Sequence, residues 1–257
     1  MEWRLNSLEM DALLKGAAQL APESSKRKAR QPYTVEFITK VREHLNMNDS
    51  FDAAVAACLS CGFYSAARLG ELTVPCLNAF SHLLHVTSAN LRTETSQNGT
   101  DTTILHIPKT KAAPIEGEDI YWTYQDGPTD PCAAIANHLR VNSPSNSDHL
   151  FAYRHKDRLR PLTKNAFIKR VATAAKAAGL EPLQGHGIRI GATLHYLLRG
   201  VPMEAMKVMG RWGSEAFLRY LRKHAQILTP YIQANPEVHH TFSRFILPTQ
   251  AILHGRR

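Results

Sequence analysis

Residues 186–222 read HGIRIGATLHYLLRGVPMEAMKVMGRWGSEAFLRYLR, and the punctuation of this stretch governs how the rest is read. Apolar residues recur at helical spacing from Ile188 to Leu198, and Gly200 closes that segment. Pro202 opens a second helix that ends at Gly210, and Ser214 opens a third that runs to about His224. Short helices in succession put four side chains with chemical capacity in one run: His186, Arg189, Trp212 and Tyr220.

Upstream of this run, Thr163 caps a predicted helix through Phe167, Val171, Ala174 and Ala178, with Gly179 as its stop. Asp130-Pro131 is an N-cap followed by proline at N1, which predicts a helix to about Val141 before the polar loop 142–148. Between residues 83 and 125 the pattern turns β-rich. Leu84–Val86, Thr103–Ile107 and Ile120–Tyr124 read as three strands, with Asn98-Gly99 as a turn between the first two. Thr34 caps a helix with Val35, Ile38, Val41 and Leu45 on one face, and Ser50 caps another that ends near Gly62. A third short helix is predicted from Phe63 to Leu72, stopped by Pro75. The sum is an α+β class chain, mostly α, with a small three-stranded β-sheet.

Residues 1–24 predict one short amphipathic helix (Leu8, Leu13, Leu14, Ala17, Leu20), after which Pro22–Ser25 and the basic run 26–30 break the pattern. The expected division is therefore a helix and basic linker at 1–31 and one domain over 32–257. With 31 Lys and Arg against 22 Asp and Glu, the formal charge is +9, which makes polyanions the first partners to consider. No apolar stretch reaches the roughly 20 residues that span a bilayer, and no signal-peptide pattern opens the chain, so no membrane partner is expected. Cys58 and Cys61 form a lone C-x-x-C without a second compact pair, and helical i, i+3 core packing is its reading; no metal and no cofactor are expected. The segments around the basic motifs are poor in Asp and Glu, which weighs against two-metal chemistry.

Breaking a DNA strand without hydrolysing it requires a nucleophile that stores the phosphodiester in a covalent bond, and cations that neutralise the non-bridging oxygens as charge builds. It also requires an acid for the departing 5′-oxygen. Arginine suits the clamp, because its planar fork of donors stays charged. This sequence offers those residue types in one order: Arg68 in Ala67-Arg-Leu-Gly-Glu-Leu72, Lys111 in His106-Ile-Pro-Lys-Thr-Lys111, His186 and Arg189 in His-Gly-Ile-Arg, Trp212 in Gly210-Arg-Trp-Gly213, and Tyr220 in Arg219-Tyr-Leu-Arg222.

The order resembles the tyrosine recombinase and lambda-integrase family over roughly residues 32–235, and the G-R-W-x-S-x-A-F-x-x-Y stretch is reminiscent of the Crypton-type mobile-element recombinases of eukaryotes. The resemblance implies that fold's catalytic domain and a site-specific recombinase or transposase working through a 3′-phosphotyrosine intermediate. It implies Tyr220 as nucleophile, Arg68 and Arg189 as the phosphate clamp, and His186 accepting the tyrosine proton or bonding a phosphate oxygen. Lys111 would be the general acid, with Lys109 competing for that role. Trp212 would fill the family's histidine position, for which Arg211 competes, and Glu71 would orient the site. The implied partners are double-stranded DNA, contacted also by Lys26, Arg27, Lys28, Arg30, Lys109 and Arg211, and further protomers in a dimer or tetramer on DNA. The implied compartment is the nucleus.

The family also carries a separate N-terminal helical domain, for which residues 1–31 are too short. That keeps a second reading open, a domesticated DNA-binding protein that kept the fold and lost recombination. A strand-passing topoisomerase of the type IB chemistry is a third.

Overall fold

The computed structural model describes residues 6–25 and 30–213. Two compact units divide between Arg30 and Gln31. In the first, α1 (Ser7–Leu20) starts at Asn6, whose side chain accepts the Leu8 amide at 3.1 Å, and its leucines at 8, 13, 14 and 20 are all exposed.

In the second unit α2 (Val35–Glu43) is capped by Thr34, and Ile38 and Val41 are buried as their spacing predicts. Helix α3 (Ser50–Tyr64) is capped by Asp49, one residue before the expected Ser50, because a carboxylate there accepts the amides of both Phe51 and Asp52. This helix is buried from Asp52 to Tyr64, so it runs through the middle of the core. Within it Cys58 and Cys61 are core side chains, and burial pushes both thiols far above their ordinary pKa. The one charged residue on that stretch, Asp52, meets Arg170 through two hydrogen bonds of 2.6 and 2.8 Å.

The chain continues through α4 (Leu69–Leu72), β1 (Leu91–Thr95), β2 (Asp101–Ile107), β3 (Glu118–Thr123) and α5 (Pro131–Asn142). It closes with β4 (Tyr153–His155), β5 (Arg158–Arg160), α6 (Lys164–Ala177), α7 (His186–Leu198) and α8 (Met203–Gly210). Strands β1, β2 and β3 form an antiparallel sheet in sequence order, and β4 pairs with β5 as a separate hairpin. The fold is thus α+β and mostly α, with the small three-stranded sheet. Helix α3 packs against α5, α7, β4 and α6. No described helix is long and apolar enough to cross a membrane.

Two corrections concern the sheet and the third helix. Leu84–Val86 is not a strand, since Val86 is buried and only Thr87 bridges His149; the first strand is Leu91–Thr95, a polar edge strand held by its turn to β2. The helix expected from Phe63 to Leu72 is broken, because Ala66 adopts a left-handed conformation (φ 50°) between α3 and the single turn of α4.

Helix α7 lies unusually close to the chain that enters this unit. The Tyr33 amide donates to the Gly187 carbonyl at 3.0 Å, and a Cβ at Gly191, one turn on, would collide with the Tyr33 backbone. Only glycine permits that approach.

The core also holds two histidines as neutral groups. His149 is enclosed by Phe80 and Phe151, with neither ring nitrogen hydrogen-bonded, and burial lowers its pKa to about 3, with the neighbouring His85 and His138 adding to the shift. His138 Nε2 donates to Leu150 O at 2.8 Å, and burial lowers the group to about 4. Unfolding frees both to bind protons at about pH 6.5, so the unfolded state gains protons first as pH falls. Stability is therefore full above pH 6.5 and is lost towards pH 4 at up to about 1.4 kcal/mol per pH unit per histidine. Melting temperature is expected to drop steeply across that window, and His149→Phe should flatten the drop. An unchanged pH slope in His149→Phe would remove His149 from this account.

Candidate active site

The site is built where four chain segments end. Arg68 sits at the N-cap of α4 in extended conformation rather than inside a helix. Glu71, three residues on, accepts the Arg68 amide at 2.8 Å and its Nη1 at 2.9 Å. Glutamate at N3 of a helix is a known start signal, so this boundary had a trace in Ala67-Arg-Leu-Gly-Glu.

Arg189 lies one turn after His186, the half-buried first residue of α7. It is 2% exposed, and its Nη1 donates to Ala66 O at 3.0 Å, while Nη2 donates to Gly210 O. The Gly210 carbonyl ends α8, where helix carbonyls lack intrahelical partners and the dipole is negative, and Ala66 lies two residues beyond the end of α3. A buried guanidinium is tolerable there because both carbonyls accept from it. The Trp212 ring covers it, with the guanidinium carbon 4.1 Å from the ring centroid.

The Gly210-Arg-Trp run explains itself residue by residue. The indole of Trp212 lies so close over Gly210 that any Cβ there would collide with the ring. Arg211 takes the left-handed conformation (φ 55°) that ends α8, a role the sequence assigns to Gly210. Its guanidinium turns to Glu71, donating at 2.6 Å, and stands 3.6 Å from Glu118. With 6% of its side chain exposed, Arg211 spends its guanidinium on ion pairs within the protein. Of the two residues competing for one position, Trp212 touches Arg189 and Arg211 holds Glu71.

Glu71 therefore joins Arg68 to Arg211. Burial alone would raise its carboxyl, but the charge of Arg211 and the hydrogen bonds from Arg211 and Arg68 outweigh it, leaving the group below the ordinary carboxylate range. Glu118 extends the same network. It accepts from Thr110 Oγ1, and Thr110 closes its loop by exchanging bonds with Ala113 at 3.1 and 2.9 Å. Lys109 and Lys111 flank Thr110 and are both exposed. Neither Thr110 nor Glu118 stood out in the sequence, since Glu118 takes its place through Arg211, about ninety positions away, and Thr110 only through Glu118.

The contacts thus gather Arg68, Glu71, Arg189, Arg211, Trp212 and the lysine loop around the ends of α3 and α8, with His186 one turn from Arg189. Five cationic side chains share this region with two carboxylates, an excess that favours an anionic group. Tyr220 and the basic residues Lys26, Arg27 and Lys28 lie outside the described residues, and Arg30 is exposed. Among the described residues no group of three or more His, Cys, Asp or Glu side chains is placed to hold a metal ion.

No family model and no curated protein matches this sequence. Solved structures do match. The chain superposes on XerA recombinase with a TM-score of 0.56 at 15% identity, over 89% of this chain and 75% of that one. A Flpe–Holliday junction complex (TM-score 0.48, 15% identity) is matched over 87% of this chain, which spans 56% of Flpe's length. A lambda integrase dimer bound to a COC′ core site (TM-score 0.45, 14% identity) is matched over 82% of this chain and 69% of that one. With the likeness to XerA carrying the comparison, the chain has the fold of a tyrosine recombinase catalytic domain.

Proposed function

We propose that this chain cleaves and rejoins DNA through a 3′-phosphotyrosine intermediate. The observation that supports it best is that Arg68 and Arg189, distant in sequence, come from segments held together by Ala66, Glu71, Gly210 and Arg211. The partly exposed Arg68 guanidinium suits a non-bridging oxygen of the scissile phosphate, and Arg189 joins it by exchanging its bonds to the Ala66 and Gly210 carbonyls for phosphate oxygens.

The Tyr220 hydroxyl attacks phosphorus and its proton passes to His186 or solvent. The bond to the 5′-oxygen breaks, and Lys111 supplies the proton that makes it a hydroxyl. Attack by a 5′-hydroxyl on the phosphotyrosine reverses the step and joins the strand. Exchange between two duplexes needs more than one such site, so the working form is a dimer or tetramer on DNA. A transposable element in a nucleus is the setting that the Gly210-Arg-Trp run and the basic segment 26–30 favour.

The test is covalent trapping. On a nicked suicide duplex whose short 5′ fragment diffuses away, a protein–DNA adduct is expected on denaturing gels, and it should persist in EDTA because arginines take the place of metal ions. Duplex binding without adduct on any substrate would favour the inactive DNA-binding reading. An adduct that needs magnesium would indicate different chemistry.

A further inference from the structure

The β4–β5 hairpin, in a stretch to which the sequence assigns no element, has no part in the site above. Within seven residues it carries Arg154, Lys156, Arg158 and Arg160 against one carboxylate, Asp157 at its tip. Arg154, Lys156 and Arg158 are exposed and Arg160 is half-buried, and none of the four side chains has a hydrogen-bond or ion-pair partner among the described residues. Arg158 and Arg160 line an open groove of about 610 Å³ together with Lys156, Leu77 and Asn78.

Unpaired surface cations are common, but these are held on a rigid base. Tyr153 is buried, its ring 4.7 Å from that of Phe51, and the Arg154 amide donates to Ser50 Oγ at 2.5 Å. Just beyond β5, Val74 bonds Leu162 O at 3.0 Å and accepts from the Lys164 amide at 2.9 Å, fastening the hairpin to the segment that leaves α4. Six residues from Arg68 to Val74 and two from Arg160 to Leu162 span at most about 30 Å of extended chain. A turn of duplex is about 34 Å, so phosphates of one helical turn reach both places.

We propose that this hairpin is a second DNA-backbone contact, in which Arg154, Lys156, Arg158 and Arg160 neutralise phosphates flanking the one held by Arg68 and Arg189. It rests on the DNA reading above and adds where the duplex runs across the protein. Phosphate contacts of this kind position a duplex and carry no base information.

The experiment replaces all four residues with glutamine and measures equilibrium binding of duplex DNA from 50 to 200 mM salt, with Lys169 and Lys176 on α6 replaced by glutamine as the comparison. Each lost phosphate contact should flatten the slope of log K against log salt by about 0.9, up to about 3.6 for four, and affinity at 100 mM salt should fall at least tenfold. The α6 variant should change the slope far less per charge removed. Equal loss per charge in both variants, or an unchanged slope in the hairpin variant, overturns the proposal by reducing it to net charge. So does a hairpin variant that loses single-stranded RNA while keeping the duplex. A parent protein with no salt-dependent duplex affinity would sink the DNA reading itself, an outcome distinct from the others.

Discussion

Lys111→Ala is expected to stop cleavage of ordinary DNA and to regain it on DNA whose bridging 5′-oxygen is replaced by sulfur, while Tyr220→Phe forms no adduct on either substrate. The difference lies in the leaving group. A 5′-alkoxide departs only with a proton, and losing a positioned acid costs roughly 10²- to 10⁴-fold. A thiolate leaves unaided, so the acid becomes dispensable. Tyr220→Phe removes the oxygen proposed as nucleophile, and no leaving group compensates for that. Lys109 stands on the other side of Thr110 and is equally exposed. With Lys111 as the acid, Lys109→Ala should cleave ordinary DNA at near the parent rate, and sulfur rescue of Lys109→Ala in place of Lys111→Ala would move the acid to Lys109. Rescue of neither would remove both.

The second large effect is on the folded state. Among the described residues, Glu71→Ala would leave Arg211, 6% exposed, with only Glu118 at 3.6 Å for a counter-charge. Breaking one side of a buried pair costs about 3–5 kcal/mol, because the other charge stays buried without compensation. That is a large part of the 5–15 kcal/mol typical of a domain. Urea unfolding should show the loss in Glu71→Ala and most of it restored in Glu71→Leu with Arg211→Met, where the most buried charge is gone and the charges that lose a partner, Arg68 and Glu118, are partly open to solvent. The restored variant should still form little adduct, since Arg68 has lost the carboxylate that orients it. Glu71→Ala within about 1 kcal/mol of the parent would show that the Arg211–Glu71 pair is not a structural keystone.

What the sequence revealed and what it hid divide by the range of the interaction. Thr34, Asp130-Pro131 and Thr163 are local signals, and α2, α5 and α6 begin where they predict. Strand β1, Leu-Arg-Thr-Glu-Thr, escaped because an edge strand exposed on most of its length needs no apolar alternation. The β4–β5 hairpin escaped for the same reason, its strands being short and mostly charged. In the site, the identities of Arg68, Glu71, Arg189 and Trp212 came from their order, but their roles in packing did not. Arginine is ordinarily a surface residue, and only contacts spanning 123 and 140 positions place Arg189 and Arg211 inside. Ala66 in a left-handed conformation had no signal at all, since the residue type disfavours it.

Gly187 and Gly191 leave helix α7 smooth where residues 31–33 lie on it, and the Tyr33 amide is bonded into the helix itself. The same helix carries His186 and Arg189. A helix is stiff along its axis, and no flexible loop stands between the point where the chain enters and these two side chains. The entry point is therefore a mechanical handle: tension or torque applied at residue 31 acts on the end of α7 that carries His186 and Arg189 as on a lever, with little slack to absorb it.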